Sequence, residues 1–179
     1  MQIRKFFRRK LLVGGLFVAS SFSAVGAQAA APKVTPKTYI AKYKQLSMKL
    51  SDETGVPASI ILGVAMLESG MGTSKNVQLL KNHFGIVGKN KLAKRGISYR
   101  SKYREYASDE ASFHHFVKIV QKRAWFQQLK GTDEHLPWLT HLNKSGYSSA
   151  GLTWVKRVSS IIKKYNLEAL DQPIDVAIH

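Results

Sequence analysis

The stretch Ala58 to Leu67, ASIILGVAML, is apolar on every helical face. It must be buried all round, so the rest of the chain has to fold around it. It is far shorter than the ~20 residues a membrane-spanning helix needs. Pro57 restarts the chain before it, and the run stops on a carboxylate, Glu68, followed by Ser69, Gly70 and, two positions on, Gly72. An acid in the last turn of a helix faces the unfavourable end of the helix dipole. Apolar neighbours also strip it of water, and both effects raise a carboxyl pKa. A chain selected only for stability would more readily carry Lys there, whereas a general acid that keeps its proton near neutral pH wants this setting. A helix-end glutamate that reaches water or a lysine would read the same way. The residues alone leave both readings open.

The N-terminus has the order of a secretory leader. MQIRKFFRRK carries five basic and no acidic residues, LLVGGLFVA is a short apolar core, and Ala27 and Ala29 flank Gln28 as a cleavage site. No cysteine is present, which excludes lipid attachment at such a site, disulfides, thiolate metal sites and cysteine catalysis. Cleavage after Ala29 leaves 150 residues, enough for a real core, with 23 Lys and Arg against 11 Asp and Glu and a net charge of +12. That charge seeks polyanions. Nucleic acid would be the first thought inside a cell, but export points to the anionic cell wall. The expected location is the periplasm or the cell exterior, with no membrane anchor once the leader is gone.

Residues 30–37 read as a loose lead-in, residues 38–171 as one domain and 172–179 as a tail. Thr35 and Pro36 have the form of a cap and first helical position, Tyr39, Tyr43, Leu46 and Leu50 share a face, and Gly55 ends the helix. Residues 74–81 read as helical. The segment FGIVGKNKLAKRGISYRSKYREY, broken by Gly85, Gly88 and Gly96, predicts a small β-hairpin. Ser108 then caps a helix with acids in its first turn and Phe113, Phe116, Val117 and Val120 on one stripe. Further helices are expected around 123–129, 135–144 and 149–166. The fold class is mostly α (α+β).

Four motifs in order give the chain a family likeness. Leu67-Glu68-Ser69-Gly70 ends the buried helix; Asn82 precedes Phe84-Gly85-Ile86; YREYAS runs from Tyr103 to Ser108; Gly146-Tyr147 precedes the final helix. Together these resemble the glucosaminidase family, family 73 of the glycoside hydrolases, over about residues 39–171. The resemblance implies a lysozyme-like helical lobe and a small β-hairpin lobe flanking a substrate groove. It implies an endo-β-N-acetylglucosaminidase that cuts the β-1,4 bond after N-acetylglucosamine in peptidoglycan strands, acting as a monomer without cofactor. Glu68 would be the general acid, Tyr147 would lie close to the cleaved bond, and Asn82, Phe84, Gly85 and Tyr106 would line the sugar subsites.

Glycosidases usually use a second carboxylate. The hairpin segment GKNKLAKRGISYRSK contains no Asp or Glu. Glu105 could take the role, although strand alternation from Tyr106 turns it the other way. The N-acetyl group of the substrate could act as nucleophile, or the chain could bind glycan without cutting it. A lytic transglycosylase or muramidase using the same Glu68, and a non-catalytic basic wall-binding module, are the competing functions. The basic residues of the hairpin could hold acidic stem peptides or be a solvated face. His114 and His115 point about 100° apart on a helix and cannot share a metal, so no metal site is expected. His83, beside the proposed subsite, could contact sugar but reads more readily as partly exposed filler, Trp138 and Trp154 as core, Trp125 and Phe126 as packing behind the groove, and Ser69 as a tie for its turn.

Overall fold

The computed structural model describes residues 34–172. The expected leader, the start of the lead-in and residues 173–179 lie outside the described residues. Seven helices follow: α1 (Pro36–Thr54), α2 (Ala58–Glu68), α3 (Lys75–Leu80), α4 (Asp109–Gln121), α5 (Phe126–Leu129), α6 (His135–Lys144) and α7 (Leu152–Lys164). Single 3-10 turns cover Ala93–Arg95 and Leu167–Leu170. Among the described residues no helix is long and apolar enough to cross a membrane.

The start of α1 follows from local chemistry. The Thr35 hydroxyl accepts from the Thr38 amide, the Thr38 hydroxyl accepts from the Thr35 amide, and Pro36 takes the first turn. Gly55 closes the helix at φ 76°. At the centre, α2 is buried at every residue from Ala58 to Met66 and packs against α1, α4, α6 and α7. Each fully buried Ile or Leu of this kind contributes about 1.5–3 kcal/mol of apolar burial. Gly63 sets the distance to α7: a Cβ there would come within 2.7 Å of Ile162. The N-terminus of α2 has no side-chain cap of its own, since Pro57 supplies none. Asp171, beyond α7, supplies it instead by accepting from the Ser59 amide at 3.0 Å.

The hairpin differs from expectation. Among the described residues there is no strand, only one antiparallel bridge between Val87 and Tyr103. Three backbone hydrogen bonds join the two segments, from Arg104 to Ile86, Gly88 to Lys102 and Glu105 to Lys89, and side-chain amides add to them. Asn82 Nδ2 donates to the carbonyls of Ile86 (2.9 Å) and Arg104 (2.8 Å), and Asn90 Nδ2 donates to those of Ser101 (2.8 Å) and Tyr103 (2.9 Å). Gly85, at φ 64°, turns the chain where a regular strand would run on. Segments 86–90 and 102–105 therefore lie antiparallel without becoming a sheet. Two helix starts also shift inward: α5 begins at Phe126, and α7 begins only after Gly151 at φ 57°.

Candidate active site

Three elements meet at Glu68. It is the last residue of α2, and the close α2–α7 approach at Gly63 brings Trp154, in the first turn of α7, onto it. The Trp154 indole N–H donates to Glu68 Oε1 at 2.7 Å. From the other side comes the 82–88 loop, where a Cβ at Gly85 would sit 3.1 Å from Glu68 Oε2. Glycine is needed there for its left-handed φ of 64° and for the room it leaves the carboxylate. Burial pushes the Glu68 carboxyl above the usual range, opposed by the Trp154 hydrogen bond and the Arg157 charge.

Tyr147 packs its ring 5.4 Å from that of Trp154, and its hydroxyl donates to the Phe84 carbonyl at 2.8 Å. It thus ties the loop that carries Gly85 to the end of α6. Burial raises its phenol well above 10, with the charge on Glu68 adding to the effect, so the hydroxyl stays protonated. Tyr106 holds its hydroxyl 2.6 Å from His115 Nδ1, and burial pushes its pKa up to about 12. Asn82 and Phe84 are 1% and 2% exposed. The Asn82 amide is used within its own loop and on the Arg104 carbonyl, with Oδ1 accepting from the amides of Phe84 (3.3 Å) and Ile86 (3.1 Å). Phe84 stacks on Phe116 at 4.3 Å. Gly85 and Trp154 therefore meet Glu68 directly, and Tyr147 joins them through the Trp154 ring and the Phe84 carbonyl, while the Asn82 and Phe84 side chains are buried.

His83 is not partly exposed. It is fully buried at the centre of a polar chain, because its neighbours Tyr39, Tyr43 and Phe113 enclose the ring. Its Nδ1 lies 2.7 Å from the Tyr39 hydroxyl and its Nε2 3.2 Å from Asp109 Oδ1. The carboxylate partner requires an N–H at Nε2, which donates to Asp109. Asp109 also accepts from Tyr43 (2.7 Å) and Lys42 (2.9 Å). The His83 hydrogen bond, helped by those from Lys42 and Tyr43, holds its carboxyl well below the usual range. Ser69 ties its turn, accepting from the Gly72 amide at 2.9 Å.

The sequence model of the glucosaminidase family, described as mannosyl-glycoprotein endo-beta-N-acetylglucosaminidase, matches residues 44–167. That is more than half of the chain, and it includes every residue of the Glu68 constellation. The chain belongs to the glucosaminidase family. It is accordingly a glycoside hydrolase.

Solved structures share the family fold. N-acetylmuramoyl-L-alanine amidase from Staphylococcus aureus aligns over 76% of this chain with 20% identity and a TM-score of 0.64. This chain spans only 44% of that protein's length. The peptidoglycan hydrolase from Sphingomonas sp. A1 aligns over 75% of this chain and 92% of its own, with 18% identity and a TM-score of 0.57. The glycoside hydrolase domain of Salmonella typhimurium FlgJ aligns over 75% of this chain and 91% of its own, with 20% identity and a TM-score of 0.56. No curated protein sequence matches the chain.

For a glycoside hydrolase the other carboxylates matter. Glu105 accepts from the Lys91 amide at 2.6 Å and pairs with Arg95 at 3.2 Å, so it staples the 86–105 segment. Asp109 is committed to His83, Tyr43 and Lys42. Trp154 is the neighbour of Glu68 that sequence reasoning took for core alone. It is core, at 3% exposure, yet its one polar atom is spent on Glu68.

Proposed function

We propose that the chain is an exported peptidoglycan hydrolase, an endo-β-N-acetylglucosaminidase with Glu68 as general acid. The observation that carries the reading is the Glu68 carboxyl itself, desolvated at a helix end and fixed between an indole N–H and a glycine backbone. Peptidoglycan as substrate is supported by the family match and by the fold shared with the peptidoglycan hydrolase from Sphingomonas sp. A1. Protonated Glu68 gives its proton to the glycosidic oxygen as the C1–O bond breaks. The N-acetyl oxygen of the same sugar closes on C1 to form an oxazolinium ion. Water then adds at C1, returns its proton to Glu68 and reopens the ring, so that no second carboxylate is required. The engagement of Glu105 and Asp109 elsewhere favours this substrate-assisted route over a second-acid mechanism.

In this reading Tyr147 holds the Phe84–Gly85 backbone against Glu68 and keeps a neutral phenol beside the cleaved bond. Gly85 and Tyr106 border the sugar, and Asn82 and Phe84 support the loop from behind. The test is the chemistry of the new chain end. Purified sacculi are digested, reduced with borohydride and analysed by mass spectrometry. Reduced N-acetylglucosamine ends support the proposal. Reduced muramic ends would make the enzyme a muramidase, and anhydro-muramic ends a lytic transglycosylase.

A further inference from the structure

An open pocket of about 490 Å³ lies between the end of α2, the 69–74 turn and the outer face of α7. It lies at the Glu68 end of α2: Leu67 and Gly70 form part of its wall, and Arg157 on its rim is near enough for its charge to act on the Glu68 carboxyl. Its apolar surface comes from Leu67, Met71 and Ile161, all half-buried, and its rim from Lys156 and Arg157, both exposed. Met71 is turned into this wall by a left-handed backbone at φ 56°, an uncommon conformation for a side chain of that size. Neither Lys156 nor Arg157 makes an ion pair or a side-chain hydrogen bond among the described residues. The pocket thus pairs an adaptable thioether-and-aliphatic floor with two cations that form no ion pair, at the acid's end of α2.

That combination suits a particular ligand chemistry. Sugar subsites are built from aromatic platforms and neutral hydrogen-bonding groups, and no aromatic ring lines this pocket. A short peptide with small apolar side chains and free carboxylates fits both floor and rim. Resting on the peptidoglycan reading above, we infer that this pocket seats the carboxylate-bearing stem peptide of the strand being cut, with Lys156 and Arg157 receiving its carboxylates. Placement next to Glu68 means that the peptide branches from a sugar adjoining the scissile bond. The enzyme therefore prefers peptide-bearing strands to naked glycan.

The experiment measures binding, so it does not depend on cleavage. The Glu68→Gln chain is titrated with soluble disaccharide–peptide fragments of peptidoglycan and with the same fragments stripped of peptide by an amidase. The peptide-bearing fragments should bind about five- to tenfold tighter, as two exposed charge pairs allow. That preference should shrink as NaCl is raised and collapse toward one in Glu68→Gln/Lys156→Glu/Arg157→Glu. Both cations are exposed, so the reversal leaves the core intact, and Lys156→Gln/Arg157→Gln, which only neutralises them, should give an intermediate preference. Equal binding of the two fragments, or a preference that survives the charge reversal, overturns the inference. If the wild type leaves sacculi uncut, the hydrolysis reading falls while the binding ratio still decides this one.

Discussion

Replacing Trp154 by phenylalanine keeps an aromatic ring against Tyr147 but removes the N–H that Glu68 accepts at 2.7 Å. The consequence has a definite sign. The indole stabilises the carboxylate, not the acid, so its loss raises the Glu68 pKa further. A hydrogen bond to a charged acceptor is worth about 1.5–3 kcal/mol when fully buried, and Glu68 is only partly so, which puts the effect near the low end. About 1.4 kcal/mol corresponds to one pH unit. A general acid fails as pH rises through its pKa, so the alkaline limb of kcat/KM should move up by about one unit in Trp154→Phe. The orienting contact is lost as well, and kcat at the optimum should fall roughly tenfold, because small displacements of a catalytic group cost one to two orders of magnitude. The assay is the initial rate of reducing-end release from solubilised glycan strands between pH 4 and 9, with a thermal melt to register the smaller side chain, which costs roughly 1–2 kcal/mol in a core. An alkaline limb that stays put, or moves down, would refute the role assigned to Trp154.

Three other substitutions probe separate parts of the account. The folded-state pKa of Glu68 is raised by burial, so wild-type stability declines as pH rises through that value. Glu68→Gln should therefore melt higher than wild type at pH 7.5, by at least about 2 °C, and lose this advantage below about pH 4, where the glutamate is protonated in both states. Gly85→Ala places a methyl 3.1 Å from Glu68 Oε2 at φ 64°. It should cost roughly 1–2 kcal/mol in urea unfolding and reduce kcat more than tenfold, and full activity would contradict the Gly85–Glu68 contact. Asp109 is the opposite electrostatic case, since its pKa is depressed in the fold by His83, Lys42 and Tyr43. Asp109→Asn should lose about 1–2 kcal/mol at pH 7, a deficit that narrows below about pH 4, where the unfolded wild-type chain takes up a proton that the folded carboxylate still refuses, and urea midpoints at pH 7 and pH 3 would show it.

What the sequence made legible was local chemistry. The Thr35–Pro36 start, the all-round burial of α2, and the Ser108 cap with its Phe113, Phe116, Val117 and Val120 stripe all lie within a few residues of the signals that announce them. Periodicity and capping act over one or two helical turns, so they can be read without a fold. The features that escaped depend on residues far apart in the chain. Glu68 and Trp154 are separated by 86 positions, and nothing around Trp154 distinguishes an indole with a partner from one that merely fills the core. The Asp171 cap on α2 spans 112 positions. The hairpin pattern misled for a related reason: only a few backbone bonds cross between the segments, and Asn82 and Asn90 hold further carbonyls with their side chains, an arrangement that a period-two pattern does not distinguish from a strand pair. His83 was read as partly exposed because the residues that bury it are distant in sequence. Tyr39, Tyr43 and Asp109 are among them.

The most direct test is release of soluble fragments from purified sacculi by the wild type and by Glu68→Gln, with co-sedimentation and melting curves for both. If Glu68 is the general acid, the variant should remain folded, sediment with the sacculi as the wild type does, and release fragments at least about a thousandfold more slowly. A Glu68→Gln chain that binds normally and still cuts at a comparable rate would contradict the account at its centre.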